Sequence, residues 1–169
     1  MDIKKVFLIT LIVVAAIASI SAAGAGFLDG LIGNEPQDNV IEIDNIKFNT
    51  TNVTKFELSE NETDDYGYVS WFVDENDTGY NVHIFNYNSL DNDLFKTSFV
   101  PTYKERYDNA PTQTVNGVVI YTTTANTGNH IGEPRYKAYV ENYDLNKIVD
   151  FSSPDPNETA KMALSLKFE

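Results

Sequence analysis

Two stretches of one texture, 66–73 and 80–87, are rich in aromatic and β-branched residues and are separated by Asp74-Glu-Asn-Asp-Thr-Gly79. Such residues favour extended backbone, and a short acidic segment ending in glycine favours chain reversal, so the pair predicts an antiparallel hairpin. The chain has no cysteine. A sheet built on this hairpin is therefore held by burial alone, without disulfide staples.

The flanks extend the same pattern. In 40–48, Ile41 and Ile43 alternate, then Ile46 and Phe48 alternate in the opposite phase, so the slip at Asp44-Asn45 marks a bulge or tight turn. A strand follows at 53–58 with Phe56 and Leu58 in register, then a polar loop at 59–65. Beyond the hairpin, Ser89 is a candidate cap for a helix carrying Leu90, Leu94 and Phe95 and stopping before Pro101, although 95–100 also reads as a strand. A second short helical stretch fits 103–107. Asn116-Gly117 stands between apolar runs, and these residues accept the positive φ angles of a two-residue hairpin turn. A polar loop at 125–134 precedes strands at 135–141 and 147–152, in which Tyr136, Ala138, Val140, Val149 and Phe151 face inward. A final helix is marked by Asp155 before Pro156, with Glu158 placed to reach back in a capping box. Its buried arc is Ala160, Met162, Ala163, Leu164 and Leu166, which leaves Asn157, Glu158, Lys161 and Ser165 outside. The fold class is α+β: a twisted antiparallel sheet packed by a C-terminal helix and by any mid-chain helix, preceded by an N-terminal hydrophobic helix.

The N-terminus sets the compartment. Lys4 and Lys5 precede an uncharged apolar run from Val6 to Ile20 that ends in small residues, and no charge follows until Asp29. That layout is an export signal. Two outcomes remain open: cleavage near Ala23-Gly24-Ala25, or retention as a membrane anchor with the lysines held inside. Residues 1–27 are thus a signal peptide or anchor, 28–39 a linker with Gly30, Gly33 and Pro36, and 40–168 a single exported domain. A formal charge of −13 opposes nucleic acid or anionic lipid as a partner, because phosphate contacts need a basic face. Any membrane contact is expected through the N-terminal segment only.

The order of elements, with the strand around Thr114-Val-Asn-Gly-Val118 and the ending Ser152-Ser-Pro-Asp-Pro-Asn-Glu-Thr-Ala-Lys-Met-Ala-Leu-Ser-Leu-Lys-Phe168, resembles the layout of PsbP-like domains over 39–168. The ending is also similar to that of small exported proteins of unknown function encoded by methanogenic archaea. The resemblance implies a twisted antiparallel sheet flanked by helices, and a non-catalytic binding or assembly role; it assigns no residue.

Motifs that carry chemistry are few. Asp77-Thr78-Gly79 matches the tripeptide of aspartic proteases, but Glu75-Asn76 precede it in place of a hydrophobic strand and no second copy exists. Asp74, Asn76, Thr78 and Gly79 resemble the start of a calcium loop whose twelfth position is Phe85, where a bidentate glutamate belongs. His83 and His130 are the only histidines; the first reads as a half-buried sheet residue and the second as a loop residue able to meet a ligand. Neither a catalytic set, a metal site nor a cofactor is expected. Trp71 and Tyr80 belong to an aromatic cluster on the hairpin that either packs the core or stacks on sugars, and with His130 they are the candidate ligand contacts. Asn49, Asn52, Asn61, Asn76 and Asn157 head N-glycosylation triplets expected in loops or on the outer side of the last helix.

Taken together these readings give an exported cell-surface or secreted domain, non-catalytic, acting by binding or as an envelope component with a protein or glycan partner. A solute- or glycan-binding module built on the aromatic hairpin is the first alternative. An exported carboxylate-dependent hydrolase is the second.

Overall fold

The computed structural model describes residues 37–126 and 128–169; the expected N-terminal hydrophobic helix and most of the expected linker lie outside the described residues. Two antiparallel sheets organise the chain. The smaller joins β1 (Asn39–Ile43), β2 (Ile46–Thr50) and the short β10 (Lys167–Phe168) in the order β1-β2-β10. The larger has seven strands in the order β3-β4-β5-β9-β8-β7-β6. They are β3 (Phe56–Thr63), β4 (Tyr68–Asp74), β5 (Asn81–Asn86), β6 (Thr112–Val115), β7 (Val118–Thr124), β8 (Pro134–Asn142) and β9 (Lys147–Ser153). A helical segment at 92–107, here α1, lies between β5 and β6, and α2 (Pro156–Ser165) follows β9.

The hairpin around 74–79 forms as the residue pattern predicts, with Trp71 paired to His83 and Val69 to Phe85. The slip at Asp44-Asn45 is a turn: both residues have positive φ, 46° and 58°, and Ile43 pairs with Ile46. Asn116 and Gly117 do the same between β6 and β7. These tight reversals match the twist of the strands they join.

Neighbours of β9 lie on both sides, β5 and β8, and every residue of β9 is buried. Its side chains alternate between two differently covered faces. Val149 and Phe151 point with Val82 and Ile84 into the main core, where Phe48 of β2 and Met162 of α2 close the other side. The Phe48 and Phe151 rings meet edge to face with centroids 5.0 Å apart. On the opposite face, Ile148 joins Val69 and Phe85 beneath Phe95, Val100 and Tyr103 of α1. Each fully buried aromatic or aliphatic side chain of this kind contributes about 1.5–3 kcal/mol.

Several expectations are corrected. Residues 59–63 are strand, not loop: the polar run pairs with β4 as the exposed edge of the sheet. Leu58, on the pleat side of Phe56 and just before a register shift between Leu58 and Glu60, is 55% exposed at this edge. Such a bulge, with charges along the edge, suits a strand that no further strand joins among the described residues. The cap of α1 is Asp91, whose carboxylate accepts from the amides of Asp93 and Leu94, and not Ser89. The segment also runs through Pro101, because it widens into a π-turn over Phe95–Phe99 and Pro101 opens the next α-helical stretch, where a missing N–H costs least.

In α2, Asp155 caps the helix by accepting from Asn157 N at 2.8 Å, as expected. Glu158 does not complete a capping box. It is buried, and its Oε2 accepts from Thr50 Oγ1 at 3.0 Å and from Thr51 N at 2.9 Å, tying the helix to the end of β2. Leu164 is outside instead, 59% exposed. The arc is rotated because α2 packs against β2 as well as against the larger sheet. After α2 the chain returns to extended backbone as β10, which pairs with β2.

Candidate functional site

The helical segment covers only one end of its face of the large sheet. Beyond it a cleft of about 750 Å³ opens, floored by Trp71, His83, Asp150, Ser152 and Lys137. Strand register explains the set: Trp71 pairs with His83, His83 with Asp150, and Lys137 with Ser152, so all project to one side. Tyr107 and Arg106 of α1 form one wall. Residues 123–126 and 128–130, with Asp77 and Gly79 of the hairpin turn, form the other.

Asp150 is the buried polar centre of this floor. Its Oδ2 accepts from Tyr103 Oη at 2.7 Å and Tyr107 Oη at 2.6 Å. Burial first, and then the Asp150 charge, push both tyrosines far above the usual phenol range. They act as hydrogen-bond donors that keep their protons at any physiological pH. Asp150 Oδ1 is also buried and has no hydrogen-bond partner among the described residues. Tyr107 continues into a stack with Tyr139 and Tyr121, ring centroids 5.5 and 4.7 Å away, which stiffens the wall.

His83 is neutral at pH 7. Burial lowers its pKa to about 4; Asp150 opposes the shift, while Lys137 and Arg106 reinforce it. A neutral imidazole offers one donor and one acceptor to whatever enters the cleft. Trp71 crosses it edge to face at 6.2 Å. The Arg106 guanidinium lies over the Phe85 and Tyr103 rings, 5.4 and 4.9 Å from their centroids.

At the other wall, two loops are latched together by His130. Its Nε2 lies 2.7 Å from Asp77 O and its Nδ1 2.9 Å from Glu133 Oε2, and Asn129 donates to Asp77 Oδ2. The Asp77 carbonyl, then Glu133, raise the His130 pKa, and the bond from His130 lowers that of Glu133. Glu133 also holds Arg135, whose side chain is buried against the turn. Gly79 makes this packing feasible: at φ +91°, a Cβ there would lie 2.5 Å from Arg135 Nη2.

That geometry accounts for the two motifs of the turn. Asp74 faces inward, with Oδ2 accepting from Thr78 N and Oγ1 at 2.8 and 2.9 Å and Oδ1 from Tyr80 N at 3.0 Å. Both oxygens are committed to folding the turn, and Gly79 to seating Arg135. Among the described residues no group of three or more His, Cys, Asp or Glu is arranged to hold a metal ion.

Of the candidate ligand contacts, Trp71 and His130 line the cleft. Tyr80 does not: it is buried in the main core on the opposite side of the sheet, its hydroxyl accepting from Asn52 Nδ2 at 3.0 Å. Among the sequon asparagines, Asn52, Asn76 and Asn157 are exposed in loops or at the first turn of α2. Asn49 and Asn61 lie in strands rather than loops, the first half-buried on β2 and the second exposed on the edge strand β3. Asp150, Tyr103, Tyr107, Lys137 and Arg106 escape sequence reasoning. A polar residue between Val149 and Phe151, and tyrosines four apart on a helix, are the signals that point to the first three.

Comparison of the chain with family models, with curated proteins and with solved structures gave no match.

Proposed function

We propose that the chain is an exported, non-catalytic binding domain of the cell surface or envelope, whose cleft beside α1 holds a small hydroxyl-rich solute or the end of a glycan. The observation that carries this reading is the floor itself. A half-buried tryptophan stands among hydrogen-bonding groups of both polarities, the neutral His83, Ser152 and the carboxylate of Asp150. An apolar plate with a few fixed polar groups, in a cleft of several hundred Å³, is the usual construction of a small-molecule site. The hydrolase alternative draws less support. Asp150 stands at the floor of the cleft, bonded through Oδ2 to two tyrosines, and Asp77 at one wall, bonded through Oδ2 to Asn129; the two are not arranged as an acid–base pair.

Thermal denaturation of the purified full chain in the presence of separate solute classes tests the proposal. Neutral sugars, sugar acids, amino acids and short peptides form the panel. One class is expected to raise the midpoint, as any ligand selective for the folded state does, and Trp71→Ala to abolish the rise. If no class shifts the midpoint and Trp71 emission is equally unresponsive, the binding reading fails and a purely structural envelope role replaces it.

A further inference from the structure

Building on the reading of the cleft as a binding site, we propose that its ligand is a carboxylated sugar ring, a hexuronic acid either free or at the end of a polymer. Three features of the cleft call for three parts of a single molecule. Trp71 offers a flat apolar surface of the kind that takes the C–H face of a pyranose. Asp150 Oδ1, buried at the floor and lacking a donor, calls for a hydroxyl that donates to it. Lys137 and Arg106 call for an anion: neither has a carboxylate within ion-pair reach among the described residues, in a chain whose formal charge is −13.

The two cations approach the same spot from different elements, Lys137 from the β8 floor and Arg106 from α1. Both line the same cleft, one at its floor and one at its wall. A simple anion would meet Lys137 and Arg106 but bring like charge toward Asp150. A neutral sugar would satisfy Asp150 but leave Lys137 without an anion and Arg106 with only the Phe85 and Tyr103 rings, and an amine would be repelled by both. A ring carrying hydroxyls at one end and a carboxylate at the other meets all three demands, and about 750 Å³ accommodates it.

Trp71 is the only tryptophan in the chain, so its emission reports on the cleft alone. The test titrates the purified full chain with glucuronic acid, an oligomer of it, glucose and acetate, followed by emission and by calorimetry. Glucuronate is expected to bind about tenfold more tightly than glucose, a preference that fades at high salt. Lys137→Gln and Arg106→Gln, each checked for an unchanged circular dichroism spectrum, are expected to bring the two sugars level. Tighter binding of the oligomer than of the monomer identifies a polymer end as the source. Glucose binding as well as glucuronate, or acetate matching it, overturns the uronate proposal while leaving the cleft a binding site. Silence of every sugar in both readouts removes the sugar assignment, and only silence of the whole solute panel removes the binding reading as well.

Discussion

At the scale of single residues, the instructive positions are those where one side chain serves two elements. Gly79 ends a turn and also lets the Arg135 guanidinium lie against the backbone. Gly79→Ala forces both a left-handed alanine and a displaced buried arginine, and is expected to destabilise the domain by about 2 kcal/mol or more. A fall in the urea midpoint with an unchanged slope measures it; an unaltered midpoint refutes the packing argument. Glu158 looks like a capping residue in the sequence because Asp155 stands three positions before it. Its carboxylate instead reaches Thr50 and Thr51, partners about a hundred residues away that local spacing cannot reveal.

Among the elements, α2 shows which helix signals are local. Asp155 performs the capping that its place before Pro156 announces, so Asp155→Ala is expected to cost about 1 kcal/mol, read by denaturant unfolding. The buried arc is less legible, since it depends on what the helix meets: β2 lies beside it and takes Glu158 inward, while Leu164 is left in solvent. The polar edge β3 presents the opposite case. Ser59-Glu-Asn-Glu-Thr has the composition of a loop, and only the hydrogen bonds offered by β4 extend it. Pro101 likewise marks a helix stop by composition and is absorbed by the π-turn before it.

For the molecule as a whole, the two histidines make a paired pH prediction. His83 has a folded-state pKa near 4, below the unfolded value of about 6.5, so the stability tied to its neutral form is complete above that value and lost as pH falls toward 4. His130 is shifted the other way by Asp77 and Glu133. Its contribution is present below the unfolded pKa and disappears as pH rises through the raised folded value. NMR titration is expected to resolve two imidazoles, one titrating near 4 and one shifted upward from the ordinary histidine value. Two coincident curves would contradict both the burial of His83 and the latch made by His130. Because the latch forms one wall of the cleft, His130→Ala is expected to weaken ligand binding more than it weakens folding, measured as a loss of affinity that exceeds the shift in the unfolding midpoint.

Period-two alternation, Asn-Gly and Asp-Asn reversals and a capped ending are written into the chain, because strand, turn and cap preferences depend on residues a few positions apart. They determined that the domain is mainly antiparallel sheet with a C-terminal helix, and which residues turn the chain. The strand order was decided only by the tertiary structure, through pairings of residues far apart in the chain. So was the cleft, since Trp71, Lys137, Arg106 and Asp150 come from four elements that meet only when β9 inserts between β5 and β8 and α1 covers one end of that face.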